Sequence, residues 1–399
     1  MEDFKTSKGV LIEYTGYDYN VVIPEEMTKI GDRAFYGCVR LKSVAMPGVV
    51  IKIGNNAFCS CESLETVAIS EGATVIGSFA FSGCTSLKSV VIPKGVTEIG
   101  KGAFENCKSL ETVAIPEGVT KIGSYTFRDC ISLKSVAIPE GVTEINSFAF
   151  PGCKSLNSLA IPEGVTVIGD GTFSGCTSLK SVAISEGVTA IGKEVFRGCE
   201  SLKSVTIPEG ATVIGRGAFR DCKSLKSVTI PGSVTKVGEE AFEGCKVIHL
   251  NGNSLSSIGK GAFRGCKFIR INGNTPSAIG KDAFIYIPAL GDMLPERIWA
   301  EDLRSLAPPL KPAAVLAFAE DPSDSEQRRA SHLKYIKSHI PLTMANPSLL
   351  DLVIRERLIT TKTLPAYLEE ARKTGNTEIV AKLMEYAETL QKPGSDLEL

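Results

Sequence analysis

A phenylalanine recurs every twenty-three residues through most of this chain. Phe35, Phe58, Phe81, Phe104, Phe127, Phe150, Phe173, Phe196, Phe219 and Phe242 keep that step, and Phe263 and Phe284 follow at steps of twenty-one. A period of this length belongs to stacked supersecondary units, each too small to bury its own apolar face. The core is then a continuous stripe shared between neighbours, so 399 residues need not mean several globular domains. About twelve turns at about 4.8 Å each predict a body roughly 55–60 Å long.

One unit shows how the stripe is built. In Leu110, Glu111, Thr112, Val113, Ala114, Ile115, Pro116, the apolar Val113 and Ile115 alternate with Thr112 and Ala114, the period of a half-buried strand. Pro116 has no N–H for a ladder, so the strand ends there. Val119 and Ile122 begin a second short extended segment that stops at Gly123. Phe127 and Cys130, three apart, share one face of a helical turn. Leu, Val and Ile ladders recur at the same depth in nearly every unit, for example Leu87, Leu110, Leu133 and Ile92, Ile115, Ile138.

The pattern L-x-x-V-x-I-P-x-x-V-x-x-I-G-x-x-A/T-F-x-x-C resembles the BspA-like class of leucine-rich repeat over about residues 10 to 287. Leu110, Val113, Ile115 and Val119 match the leucine positions, while Gly118 stands where an asparagine ladder is usual. The resemblance implies an α/β solenoid of ~23-residue turns, with residues 1–34 as capping strands and first turn and 35–287 as the repeat body. Val10, Leu11, Ile12, Tyr14, Tyr17, Tyr19, Val21 and Ile23 read as one or two N-terminal strands, and Met1 to Lys8 as a polar lead-in. Near the far end, Ile248–Leu250 and Ile269–Ile271 open two shortened turns expected to tighten the solenoid.

Stacked turns present long open surfaces, and such surfaces bind other macromolecules. The outward rows of the strand are small, with Ser89, Thr112, Ser135 in one and Val91, Ala114, Ala137 in the next. A margin row is mostly basic, including Lys134, Lys180, Lys203 and Lys226, and an acidic row, Glu117 to Glu209, lies beyond the strand. These near-uniform rows single out no anchor of the aromatic or arginine kind. The irregular positions do better. Tyr125 and Phe148 are aromatics where other turns carry Gly, Asn, Glu or Asp, and Arg128, Arg197, Arg216, Arg220 and Arg264 gather around the A-F-x-x-C segment. These residues are the candidate partner-binding set, against the plainer reading of scattered surface side chains.

Eleven cysteines, Cys38 through Cys266, sit three residues after a repeat phenylalanine, a packing position in which free cysteine acts as a small hydrophobe. Parallel side chains one strand spacing apart do not turn toward each other as a disulfide requires, so reduced thiols are expected. Cys59, off the ladder, is expected at the surface. No metal-spaced C-x-x-C occurs, and His332 and His339 lie seven residues apart, about 10.5 Å along a helix. Phosphate-loop, nucleophile-elbow and H-E-x-x-H patterns are missing, so neither catalysis, cofactor nor metal is expected. A net charge of −1 argues against nucleic acid, and no apolar run is long enough to span a bilayer.

After Phe284 the strand grammar stops, and Pro288, Pro295, Pro308, Pro309 and Pro312 punctuate the passage. Helix-like segments are expected at 296–306, 313–319, 325–340, 348–359, 364–373 and 378–390, the last capped by Thr377. The final pair resembles a degenerate ankyrin unit: Pro365, Leu368, Ala371, a turn at Gly375 and Asn376, then Glu378, Ile379, Val380, Leu383, Met384 and Tyr386. Residues 291–391 are thus read as an all-α second module and 392–399 as a loose tail. The function expected is a non-enzymatic, monomeric protein–protein scaffold, cytoplasmic in view of the reduced thiols and the polar N-terminus. The alternatives are a surface or secreted adhesin, as among BspA-like proteins, and an enzyme or enzyme regulator acting through the helical module.

Overall fold

The computed structural model describes residues 3–226, 228–251, 254–266, 268–272, 278–280, 283, 347–355, 358–375 and 377–390. Contacts divide the chain into two compact units, Met1–Lys267 with Pro276–Tyr286, and Phe268–Thr275 with Ile287–Leu399. Phe284, both C-terminal histidines, the segments expected at 296–306, 313–319 and 325–340, and the tail lie outside the described residues.

The first unit is the solenoid, of about 11 turns rather than twelve. Each turn contributes one short strand to each of two parallel ribbons. The first is built from the S-V-A segments, such as Thr112–Ala114 beside Ser135–Ala137, paired Thr112 to Ser135, Val113 to Val136 and Ala114 to Ala137. The partners are one period apart, so identical side chains stack in register. Val113 points inward while Thr112 and Ala114 face solvent, as the alternation predicts. The second ribbon is built from K-I-G segments, such as Lys121–Ile122 beside Glu144–Ile145. The third side is the A-F-x-x-C turn, tied forward by Phe104 N–H to the Thr126 carbonyl at 2.9 Å and Asn106 N–H to the Arg128 carbonyl at 2.7 Å.

Inside run the ladders. The repeat phenylalanines from Phe35 to Phe263 are fully buried, and successive rings stack, as Phe58 and Phe81 do at 5.2 Å and 1°. Polar stitches also join turn to turn. The Thr97 hydroxyl donates to the Thr74 carbonyl, Thr189 to Thr166, Thr212 to Thr189 and Thr235 to Thr212. The ladder cysteines do the same: Cys107 Sγ donates to the Phe81 carbonyl at 3.2 Å and Cys130 Sγ to the Phe104 carbonyl at 3.1 Å. All twelve cysteines are free thiols. Cys59, expected at the surface, is half-buried beside Ser60.

Glycine at the end of each K-I-G strand lets neighbouring backbones touch. A Cβ on Gly77 would meet the Gly54 carbonyl carbon at 2.7 Å, which a real Cβ never does. Among the described residues this ribbon is interrupted once, between Glu98–Ile99 and Lys121–Ile122. There Gly123 stands back: a Cβ on it would come no nearer than 3.3 Å to the backbone of the preceding turn, at Lys101 N. The next turns' glycine slot even admits Asn146. Thr126 stands there in a slot usually held by alanine, its buried hydroxyl donating to the Gly123 carbonyl at 2.8 Å. Thr172 repeats the substitution, and there only the Ile145–Ile168 pair survives, with Gly169 N–H to Ile145 O at 3.2 Å.

At the N-terminus the lead-in read as polar contains a strand. β1 (Phe4–Ser7) pairs antiparallel with β2 (Val10–Tyr14) through a two-residue turn at Lys8 and Gly9, both with positive φ (49° and 72°). That turn suits the right-handed twist of a hairpin. Phe4 and Tyr14 then extend the ring stack beyond Phe35. Near the other end, Val247–Asn251 and Phe268–Asn272 are five-residue strands, longer than those of the regular turns.

The second unit is described over three helices, α1 (Pro347–Arg355), α2 (Leu364–Thr374) and α3 (Thr377–Leu390). Pro365 opens α2 where no N–H is needed, and Gly375 closes it at φ 67° with its N–H on the Arg372 carbonyl. Leu350, Val353, Ile359, Tyr367, Ala371, Ile379 and Leu383 form the core. Tyr386 donates its hydroxyl to the Ile359 carbonyl at 3.2 Å, and Lys382 binds Asp351 at 3.0 Å.

Candidate functional site

The third side of the solenoid carries the irregular residues, and its backbone explains why they are unusual. Two positions in each turn have left-handed φ. One precedes the alanine slot and the other follows the phenylalanine by two. The first is glycine at Gly102, Gly171, Gly217 and Gly261 and a polar residue at Arg33, Asn56, Glu194 and Glu240, while Phe79 (φ 56°), Tyr125 (62°) and Phe148 (58°) occupy it in three turns. A bulky side chain in that region is strained by about 1–3 kcal/mol. An aromatic pair returns only about 0.5–1.5 kcal/mol beyond its buried area.

The three aromatics form one half-buried ridge. Tyr125 and Phe148 stack at 5.5 Å and 3°. Phe79 leans over Gly102 and Phe148 over Gly171; a Cβ at either glycine would collide with the ring. Lys101 Nζ lies 6.0 Å from the Phe79 ring centre and 5.3 Å from that of Tyr125, so its ammonium fills the notch between them. Arg128 covers Tyr125 at 5.7 Å while reaching Glu105 at 3.5 Å and Asp129 at 3.4 Å. Burial raises the Glu105 carboxyl above its ordinary range against the pull of Arg128. Sequence reading singled out Tyr125, Phe148 and Arg128 but missed Phe79 and Lys101. The signal for Phe79 was the same position, two turns before Tyr125.

Toward the C-terminal end the same side becomes a charge zipper. Arg197 meets Glu194 at 3.1 Å. Arg220 holds Glu240 at 2.8 Å and Glu243 at 3.2 Å, Arg264 reaches Glu243 at 3.7 Å, and Arg216 reaches Glu239 at 3.6 Å. Each of the five candidate arginines therefore has a carboxylate within ion-pair distance. In the margin row Lys134 binds Glu111 at 2.7 Å across one turn. Lys180, Lys203 and Lys226 are in none of the ion pairs among the described residues, and all three are exposed.

A further concentration escaped sequence reading. Of twelve exposed large hydrophobic residues among those described, eight fall between Ile12 and Ile51. They are spread over all sides of the first turns, and Tyr19 is already covered by Arg40 and Lys42, its hydroxyl accepting from Arg40 Nη2 at 2.8 Å. Among the described residues no group of three or more His, Cys, Asp or Glu is placed to hold a metal ion, and no helix is long and apolar enough to cross a membrane.

Two stacked parallel ribbons with a turn-built third side, repeated every twenty-three residues, define a leucine-rich repeat solenoid, a scaffold that binds rather than catalyses. The family model for the BspA type leucine rich repeat region matches in 6 copies across residues 14–134, 120–249 and 212–293, and the chain belongs to that family. No curated protein matches it. Among solved structures, a leucine-rich repeat protein of T. pallidum is 34% identical over 45% of this chain and 88% of its own, with a TM-score of 0.43. A leucine-rich repeat protein of Bacteroides ovatus is 28% identical over 71% and 89%, with a TM-score of 0.49. A leucine rich cell surface protein of Faecalibacterium prausnitzii is 28% identical over 68% and 93%, with a TM-score of 0.41.

Proposed function

We propose that this chain is a non-enzymatic receptor for another protein, and that the ridge of Phe79, Tyr125 and Phe148 is its contact surface. The supporting observation is that three bulky aromatics stand half-exposed at left-handed positions that glycine or a polar residue fills in sister turns. Strain of about 1–3 kcal/mol stands against about 0.5–1.5 kcal/mol from ring stacking, so stacking gives no clear stability gain to account for them. Aromatic anchors held rigidly also lose little entropy on binding. The candidate arginines then act as ties between turns, and Lys180, Lys203 and Lys226 as a secondary, steering row.

The helical unit serves as a second module, with α2 and α3 in the manner of an ankyrin pair. Display at the cell surface is preferred to the cytoplasm because BspA-type repeats include many surface proteins. Protease treatment of intact source cells tests that setting: digestion of the chain supports it, and full protection restores the cytoplasmic reading. The receptor itself is tested by cross-linked capture from source cells. The full chain is one bait and the Phe79→Gly, Tyr125→Gly, Phe148→Gly triple variant the other. A partner held by the first and lost by the second, with circular dichroism unchanged, supports the ridge. Equal recovery by both overturns it.

A further inference from the structure

We propose that the ridge takes an extended acidic segment of another polypeptide, with a carboxylate held by Lys101 in the notch between Phe79 and Tyr125. The inference rests on the ridge being the contact surface and adds the chemistry of what it contacts.

Three features select this occupant. First, the faces of Tyr125 and Phe148 are taken. Tyr125 and Phe148 cover one another, Phe79 and Phe148 lean on the backbones of Gly102 and Gly171, and Lys101 and Arg128 lie over Tyr125. A sugar ring or a nucleobase needs an open face to stack on, so neither fits. What solvent meets is ring edge, the positive rim of the aromatic quadrupole, which favours carbonyl and carboxylate oxygens.

Second, the charge in the notch is unbalanced. Arg128 has Glu105 and Asp129 within 3.5 Å, and the arginines further along are likewise paired. Lys101 appears in no ion pair among the described residues; Glu105 attracts it from beyond ion-pair distance, and the groups it lies over are the two rings. A cation poised over aromatic rings with no carboxylate within ion-pair distance recruits one from a partner.

Third, the dimensions suit a strand. Phe79 to Phe148 spans three turns, about 15 Å at about 4.8 Å per turn. Four or five residues of extended chain, at about 3.3 Å each, cover that length. The neighbouring positions Ser82 and Ser174 are small, so a main chain can approach on either flank.

The probe is a short fluorescein-labelled peptide of alternating valine and glutamate, with twins carrying serine or lysine in place of glutamate. Fluorescence anisotropy with the full chain should show saturable binding of the glutamate peptide, weakening as salt rises. Lys101→Glu should weaken it by about tenfold or more, while Lys193→Glu, in the same row four turns further along and beside Asp170, leaves it unchanged. No binding of the glutamate peptide, equal binding of the serine twin, or indifference to Lys101→Glu overturns the inference. So does competition by maltohexaose, which assigns the ridge to carbohydrate. A concentration-dependent dimer in sedimentation that the triple glycine variant abolishes assigns it instead to a second copy of this chain. If the captured cellular partner is lost with the triple variant but kept by Lys101→Glu, the receptor reading stands and the acidic segment alone fails.

Discussion

Cys130 donates its thiol hydrogen to the carbonyl oxygen of Phe104, 3.1 Å away and twenty-six residues earlier. That carbonyl also accepts the Cys107 N–H within its own turn, so one oxygen closes a turn and ties it to the next. The bond requires a protonated thiol. Burial pushes the Cys130 thiol well above its ordinary range, as it does for Cys84, Cys107, Cys153, Cys199, Cys222 and Cys245, and pushes Cys266 up to about 12. The unfolded chain loses these protons near pH 8.5 while the folded chain keeps them. The unfolded state then binds fewer protons, so stability is complete below that pH and falls as pH rises through the alkaline range. Each thiol contributes up to about 1.4 kcal/mol per pH unit in that window. Urea midpoints should therefore drop steeply between about pH 9 and 11. Cys130→Ala should flatten the slope by one thiol's share while lowering stability at pH 7. A midpoint unchanged across that range would show that the thiols are not held protonated.

Thr126 marks the place where the K-I-G ribbon parts. Its methyl and hydroxyl occupy an alanine slot, and the turn ahead of Gly123 opens by enough to leave the Ile99–Ile122 pair unformed. Thr126→Ala should let the turns close. The Gly123 amide would then gain the bond to Ile99 that Gly100 makes to Ile76 at 2.8 Å, and its hydrogen exchange should slow by about tenfold, the worth of one net hydrogen bond. The same change at Thr172 should give less, because its neighbours already pair at Ile145 and Ile168. Exchange at Gly123 that stays as fast as in the parent chain would remove Thr126 as the cause.

Arg220 is the central tie of the charge zipper, one-third exposed between Glu240 and Glu243, whose side chains are 18% exposed. Removing it leaves two carboxylates close together with little water, a larger loss than a surface ion pair carries. Arg220→Ala should cost about 1–3 kcal/mol, and adding Glu243→Gln should recover part of that by deleting the stranded charge. A double-mutant cycle measures the coupling. Additive losses would mean that the pair contributes nothing as a pair.

Most of the solenoid was legible because one turn's pattern repeats. Alternation at Val113 and Ile115 placed the strand, Pro116 its end, and the Phe127–Cys130 spacing the turn that closes each unit. Interactions that cross between turns were not legible. That Cys130 ties back to Phe104 depends on stacking distance, which no single unit encodes. Nor could the ladder break at Thr126 be read from an apparently tolerable alanine-to-threonine change. β1 was missed because Phe4 and Thr6 show no periodicity strong enough to outweigh four polar neighbours, although Lys8–Gly9 signalled the turn. At the ridge, Tyr125 and Phe148 stood out by residue type alone. Their strain became visible only with the backbone, and Lys101 acquired a role only once Phe79 and Tyr125 were seen on either side of it. The arginines read as a contact patch from sequence because their carboxylates lie up to twenty-three residues away, as Glu105 does from Arg128.

The strain at Tyr125 and Phe148 sets a stability effect much smaller than that of most large-to-small changes. Both hold φ near 60°, where glycine is unstrained. Replacing either by glycine relieves about 1–3 kcal/mol of backbone strain. Against that stand the lost ring stack, about 0.5–1.5 kcal/mol, and the greater freedom glycine gives the unfolded chain, about 0.5–1 kcal/mol. The single variants should accordingly unfold within about 1 kcal/mol of the parent, on either side of it. Phe127→Ala, in the buried stack one residue beyond Thr126, should lose about 3–5 kcal/mol. Urea unfolding of Tyr125→Gly, Phe148→Gly and Phe127→Ala in one buffer gives the comparison. If the ridge variants lose as much as the core variant, the aromatics are there to stabilise the solenoid, and the case for a contact surface goes with them.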